Sequence, residues 1–144
     1  MIKNNKIREL EDIKINVKLK ISALWIAVMF LYAYVDLFSL FKTGIISEIM
    51  AGKMFIFQIN QSFLFFTTLY IVIPVIMIFL SLVLKPKVNR WTNIVVSALY
   101  LVTMLGASIG ETWIFYIFGT IIESILLLLI IRYAIKWPKY EDEQ

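Results

Sequence analysis

The apolar positions of the chain gather into four long runs, not into short alternating or amphipathic stretches. A helix needs roughly 20 mostly apolar residues to cross about 30 Å of hydrocarbon. Four segments meet or approach that length: about 20–41, 62–84, 91–109 and 112–136. The first contains one acid, Asp36, and the second and third contain no charge. The fourth contains Glu123, with Arg132 and Lys136 near its end. Short connections make neighbouring helices antiparallel. The predicted fold is an all-α membrane protein, an antiparallel four-transmembrane-helix bundle forming a single membrane domain over 1–144.

Polar residues punctuate these runs. Residues 1–19 form a basic arm in which Ile7, Leu10, Ile13 and Val17 recur at helical spacing, a pattern suited to a helix lying on headgroups. Ile13, Ile15, Val17, Leu19 and Ile21 instead alternate with polar residues, as in a strand. Helix from about Asn16, a cap residue, is favoured because Lys18 and Lys20 can reach the headgroups along their apolar stems. In the 42–61 connection, Ile45, Ile46, Ile49 and Met50 share one helical face opposite Ser47 and Glu48, which predicts a short interfacial helix. A re-entrant loop is the alternative. Lys85-Pro86-Lys87 ends the second helix, and Asn89 is the expected cap of the third. Trp91, Trp113, Tyr116 and Trp137 fall where interfacial aromatic residues belong. Residues 137–144 form a polar tail.

Composition agrees with this division. Apolar residues make up 61% of the chain and charged residues 17%, against roughly 45–50% and 25% in soluble domains. The apolar run of the first span exceeds that of a signal peptide, and no small-residue cleavage site follows it. The distribution of basic residues orients the spans. Of the 14 Lys and Arg, six lie before or at the start of the first span, three lie between the second and third, and three follow from Arg132 onward; only Lys42 and Lys53 fall on the other side. The positive-inside rule then puts both termini in the cytoplasm and the 42–61 connection outside. This placement beside apolar runs also accounts for the net charge of +4 through anionic lipid, and no motif points to nucleic acid.

The absence of Cys and His removes disulfides, thiol redox chemistry, the usual zinc sites and Ser–His or Cys–His catalysis. No catalytic residue, metal site or cofactor is expected. The residues that stand out are Asp36 and Glu123, because a charge within a span is costly and by default faces the bundle interior or water. Asp36 lies about 8 Å below the outer boundary, and Glu123 about 9 Å deeper. The two acids are therefore not expected to form a direct carboxylate pair, although they could bracket one cavity. Tyr116, Gly119 and Thr120 share the face of Glu123 at helical spacing, making Tyr116 and Thr120 further candidates for a proton or ligand site. The competing structural reading is a neutral Glu123 bonded across helices. Pro74, mid-span, is a hinge candidate or a static kink. Gly106 and Gly110 form a lone GxxxG pattern.

The stretches INVKLKISALW (15–25), YVDLFSL (34–40), IPVIMIFLSLVLKPKVNRW (73–91) and YAIKWPK (133–139) resemble a bacterial family of small four-helix membrane proteins of unknown function. The resemblance implies four spans and residence in the bacterial inner membrane, and supplies no activity. The chain is similar to DoxX-like proteins in architecture only. Three functional expectations follow. The leading one is a non-catalytic membrane component, with the bilayer and either a second copy or another membrane protein as partner. The alternatives are a small proton-coupled transporter using Asp36, Glu123 or both, and a quinone-linked or redox accessory subunit.

Overall fold

The computed structural model describes residues 13–54 and 56–138. The expected arm helix before residue 13 and the tail after residue 138 lie outside these. The protein is mostly helical, with order α1 (Val17–Ser39), α2 (Ile45–Met50), β1 (Lys53–Met54), β2 (Phe57–Gln58), α3 (Gln61–Val83), α4 (Pro86–Ala107) and α5 (Ile114–Ile135). Helices α1, α3 and α5 are long and apolar enough to cross a membrane. Helix α4 is of similar length but more polar.

Local chemistry fixes the helix ends. The Asn16 side chain accepts the backbone N–H of Lys18 and starts α1, and Asn60 accepts that of Phe63 and starts α3. Asn89, the expected cap of the third long helix, does not start it. Helix α4 begins at Pro86, five residues before the expected boundary. Proline is favoured in the first helical turn, where its missing N–H would be unpartnered anyway. Asn89 thereby falls inside the helix. Gly110 lies beyond the end of α4 with φ 82°, and neither Gly106 nor Gly110 has a neighbour that an added Cβ would meet. Among the described residues the GxxxG spacing therefore marks no helix contact: Gly110 serves the left-handed turn into α5. In the 42–61 connection, α2 matches the expected short helix, but the antiparallel ladder pairing Lys53 with Gln58 and Met54 with Phe57 was not expected.

Cross-helix contacts set the packing. Lys18 Nζ donates to the carbonyls of Leu82 and Leu84, and Ser22 Oγ to that of Ile78, so the start of α1 meets the end of α3. Asn89 meets Ser81 near the start of α4, and Thr103 meets Tyr70 near its end, so α4 runs opposite to α3. Lys20 stands over the Tyr133 ring at one end of the α1–α5 pair. Toward the other end, an added Cβ on Gly119 would come within 2.5 Å of Val35 Cγ2. Glycine there lets the two backbones close up, as small residues do where helices pack in lipid. A shared core of Ile21, Trp25, Val28, Met77, Leu127 and Ile130 lies between the helices.

Two polar systems cross this core. Toward the start of α1, Trp25 Nε1 donates to Asn93 Oδ1 at 2.7 Å, and Ser81 Oγ reaches the same oxygen at 3.2 Å. Asn93 Nδ2 donates to Asn89 Oδ1 at 2.6 Å, and Asn89 Nδ2 to the Ser81 carbonyl at 2.7 Å. All four residues are buried, where such groups are stable only when partnered. The second system surrounds Pro74, which cannot donate to the carbonyl of Tyr70 four residues earlier. The Tyr100 hydroxyl donates to that carbonyl instead. The proline break in α3 is thus tied to α4.

Helix α4 buries its polar face: Asn89, Asn93 and Ser97 are fully enclosed, while Val88, Trp91, Val95, Leu99, Val102 and Leu105 are exposed. A soluble amphipathic helix has the opposite arrangement.

Candidate functional site

The site lies in the half of the molecule nearer the β1–β2 hairpin. Each long helix contributes to it because each places a polar or small residue on its inner face there. Helix α1 brings Tyr32 and Asp36, one turn apart, and α3 brings Tyr70, one turn before the proline break. Helix α4 contributes Thr103, Met104 and Ala107, and α5 contributes Tyr116 and Glu123. These residues, with Val35, enclose a cavity of about 220 Å³.

The Val35–Gly119 contact sets the relative depth of the two acids. Glu123 lies one turn farther from the hairpin end than this contact, and Asp36 lies one residue nearer to it. At 1.5 Å per residue the offset is roughly 7–8 Å along the helix axes, so the acids stand at different levels of one cavity. Glu123 is only 2% exposed, and its Oε1 has no hydrogen-bond partner among the described residues. Carboxyl oxygens enclosed to this degree are ordinarily bonded. Tyr116 joins the acids on the cavity wall, whereas Thr120 is buried but does not line it. The Thr120 carbonyl instead accepts the Ser124 hydroxyl at 2.7 Å.

A second, larger cavity of about 550 Å³ adjoins the first on the hairpin side. Tyr32, Asp36 and Tyr116 line both, and form the partition between them. Lys42, Glu48, Ile49, Lys53 and Met54 help to enclose the outer chamber, so the connection between α1 and α3 roofs it. Lys42 Nζ forms an ion pair with Glu111 Oε2 and stands 4.5 Å from the centroid of the Tyr116 ring and 5.5 Å from that of Phe115. The other Glu111 oxygen accepts the backbone N–H groups of Thr112 and Trp113 at 3.0 and 3.1 Å. Burial pushes the Glu111 carboxyl up, but the Lys42 bond and these N–H groups outweigh it and hold the group below its usual range.

Tyr32, Tyr70, Thr103 and Lys42 belong to the site but were not among the candidates read from the sequence. Tyr32 carries a signal in hindsight, standing four residues before Asp36. Tyr70 stands four residues before Pro74, where a freed carbonyl was due. Among the described residues no three acidic side chains converge as a metal cage would need.

The chain belongs to a family of unknown function, DUF6326, whose model matches residues 6–143. No curated protein and no solved structure matches it. Family membership agrees with the resemblance in the sequence and, like it, brings no activity.

Proposed function

We propose that the protein is a non-catalytic, four-span protein of the bacterial inner membrane, with both ends in the cytoplasm, and that it acts as a small proton-coupled carrier through Asp36 and Glu123. One observation carries the functional part: both acids line a single cavity, and the deeper one is enclosed with an unpartnered carboxyl oxygen. A buried acid used only as packing glue would spend both oxygens on neighbouring donors. An acid that must take up and release a proton or a cation needs an oxygen left free for the exchange. The outer chamber, lined by Asp36 on its inner side, supplies a route from the external face. The absence of His and Cys leaves little to support a catalytic or redox reading.

Three apolar helices support a membrane location directly. For α4, the inverted distribution of polar and apolar residues supports a fourth crossing, since polar side chains in a span turn toward the bundle. The strong bias of Lys and Arg supports the orientation.

Proton exchange has a direct readout. In reconstituted protein, the infrared carboxyl C=O stretch should titrate with external pH, and Glu123→Gln should remove that component. Dissipation of an imposed pH gradient by proteoliposomes should fall in Glu123→Gln and in Asp36→Asn. A carboxyl band and a proton flux that neither substitution alters would overturn the proposal.

A further inference from the structure

We infer that the inner cavity binds a small organic ammonium ion, which enters from the outer chamber and displaces a proton from the Asp36–Glu123 pair. This rests on the proton-exchange reading above and adds the class of the partner ion.

The charge of the walls comes first. The inner cavity has two carboxyl groups and no Lys or Arg among its lining residues. Lys42 lines only the outer chamber and is engaged by Glu111. With both acids ionised, the inner cavity carries uncompensated negative charge, which selects a cation. Glu123, whose buried Oε1 has no hydrogen-bond partner among the described residues, is the carboxyl that such a cation would meet at the floor.

The remaining walls decide which cation. A hard metal ion asks for six or more oxygen ligands, or keeps several waters. Here Asp36 and Glu123 are the only carboxyls among the nine lining residues, Val35, Met104 and Ala107 offer no oxygen, and no three acidic side chains converge among the described residues. The Tyr70 hydroxyl is already bonded to Thr103 at 2.6 Å. Apolar surface, tyrosine rings and one or two carboxylates are instead what an alkylammonium ion uses. Its carbon substituents take the apolar contacts, its charge can lie near aromatic faces, and it demands no fixed coordination number. A volume of about 220 Å³ falls below the roughly 300–1,000 Å³ of sites for drug-sized ligands, so the ion is small. Binding to ionised carboxyls and protonation of the same carboxyls exclude one another. By linkage, each therefore weakens the other to the same degree.

Choline and ethylammonium are suitable probes, and 3,3-dimethylbutan-1-ol is the uncharged counterpart of choline. Choline has a fixed charge, so any pH dependence of its binding belongs to the protein. Calorimetry on the full chain in detergent should show choline or ethylammonium binding at pH 8, weaker binding at pH 6, release of protons on binding, and none of this with the alcohol. Asp36→Asn and Glu123→Gln should each weaken binding about tenfold or more, the scale of a hydrogen bond to a charged group. Asp36 stands at an exposed helix position, so its variant keeps the test sound if the buried Glu123 variant does not fold. Equal binding of the alcohol, or cation binding unchanged in Asp36→Asn, overturns the inference. If neither cation binds while the infrared carboxyl band still titrates, the ammonium assignment falls and proton exchange stands. If that band is missing as well, both fall.

Discussion

Tyr100 shows how one hydroxyl can hold a helix break in place. Its O–H donates to the carbonyl that Pro74 leaves free, while its ring stacks on Tyr70 at 4.6 Å and meets Trp25 edge-on at 6.3 Å. Tyr100→Phe keeps both ring contacts and removes only the donor. It should lower stability by about 1 kcal/mol, near the value of one interhelical hydrogen bond in a membrane protein, measured by thermal unfolding in a fixed detergent. Tyr70→Phe, which loses a bond to exposed Thr103, should cost less. Equal costs would mean that the freed carbonyl does not depend on Tyr100. Asp36 and Glu123 were legible because a charge within an apolar run is costly and by default faces the bundle interior or water. Tyr32 and Tyr70 were not, because a tyrosine in a span can face lipid, headgroup or cavity with equal ease. Asn89 was misjudged for a physical reason: an Asn just after a proline turn is a good cap, and only the early helix start at Pro86 turns it inward.

Among the elements, the long helices were the easy part, because a run of some 20 apolar residues has few structural uses. The hairpin was hidden, since strands of two residues are too short to carry a period. Its neighbour Lys42 was legible only as a charge that helped to set orientation. In the fold, Lys42 and Glu111 tie the connection after α1 to the start of α5. Their side chains are only 8% and 13% exposed, so this pair is screened less than one on an open surface. Because the Glu111 carboxyl is held below its usual value, the pair's contribution should be present above the ordinary carboxyl range. It should be lost as pH falls through the lowered value. Glu111→Gln should therefore be less stable than the parent at neutral pH, by about 1.5–3 kcal/mol, and the gap should close toward pH 3. Melting curves of the two proteins against pH make the comparison, and a gap that stayed constant would show that ionisation of Glu111 contributes nothing.

For the whole molecule, the number of crossings turns on α4, the most polar of the four long helices. Its 22 residues rise about 33 Å, enough for the hydrocarbon layer. Its start meets the end of α3, and its far end meets the middle of α3 near Tyr70. If α3 crosses the bilayer, α4 returns along it. Of its polar residues, Asn89, Asn93 and Ser97 are enclosed among the other helices and Lys87 is exposed in the first turn, so beyond that turn lipid would meet mainly its apolar side. An odd number of crossings would place the two chain ends on opposite faces; four place them together. A reporter active only in the periplasm should therefore be inactive when fused after Gln144 and when inserted between α3 and α4 at Leu84–Lys85. It should be active when inserted at Gly110 or within the connection at Lys53. Activity at Gln144 would mean an odd number of crossings. Matching results at the two ends of α4 would remove α4 from the membrane and, with it, the α4 wall of the cavity from its place among the spans.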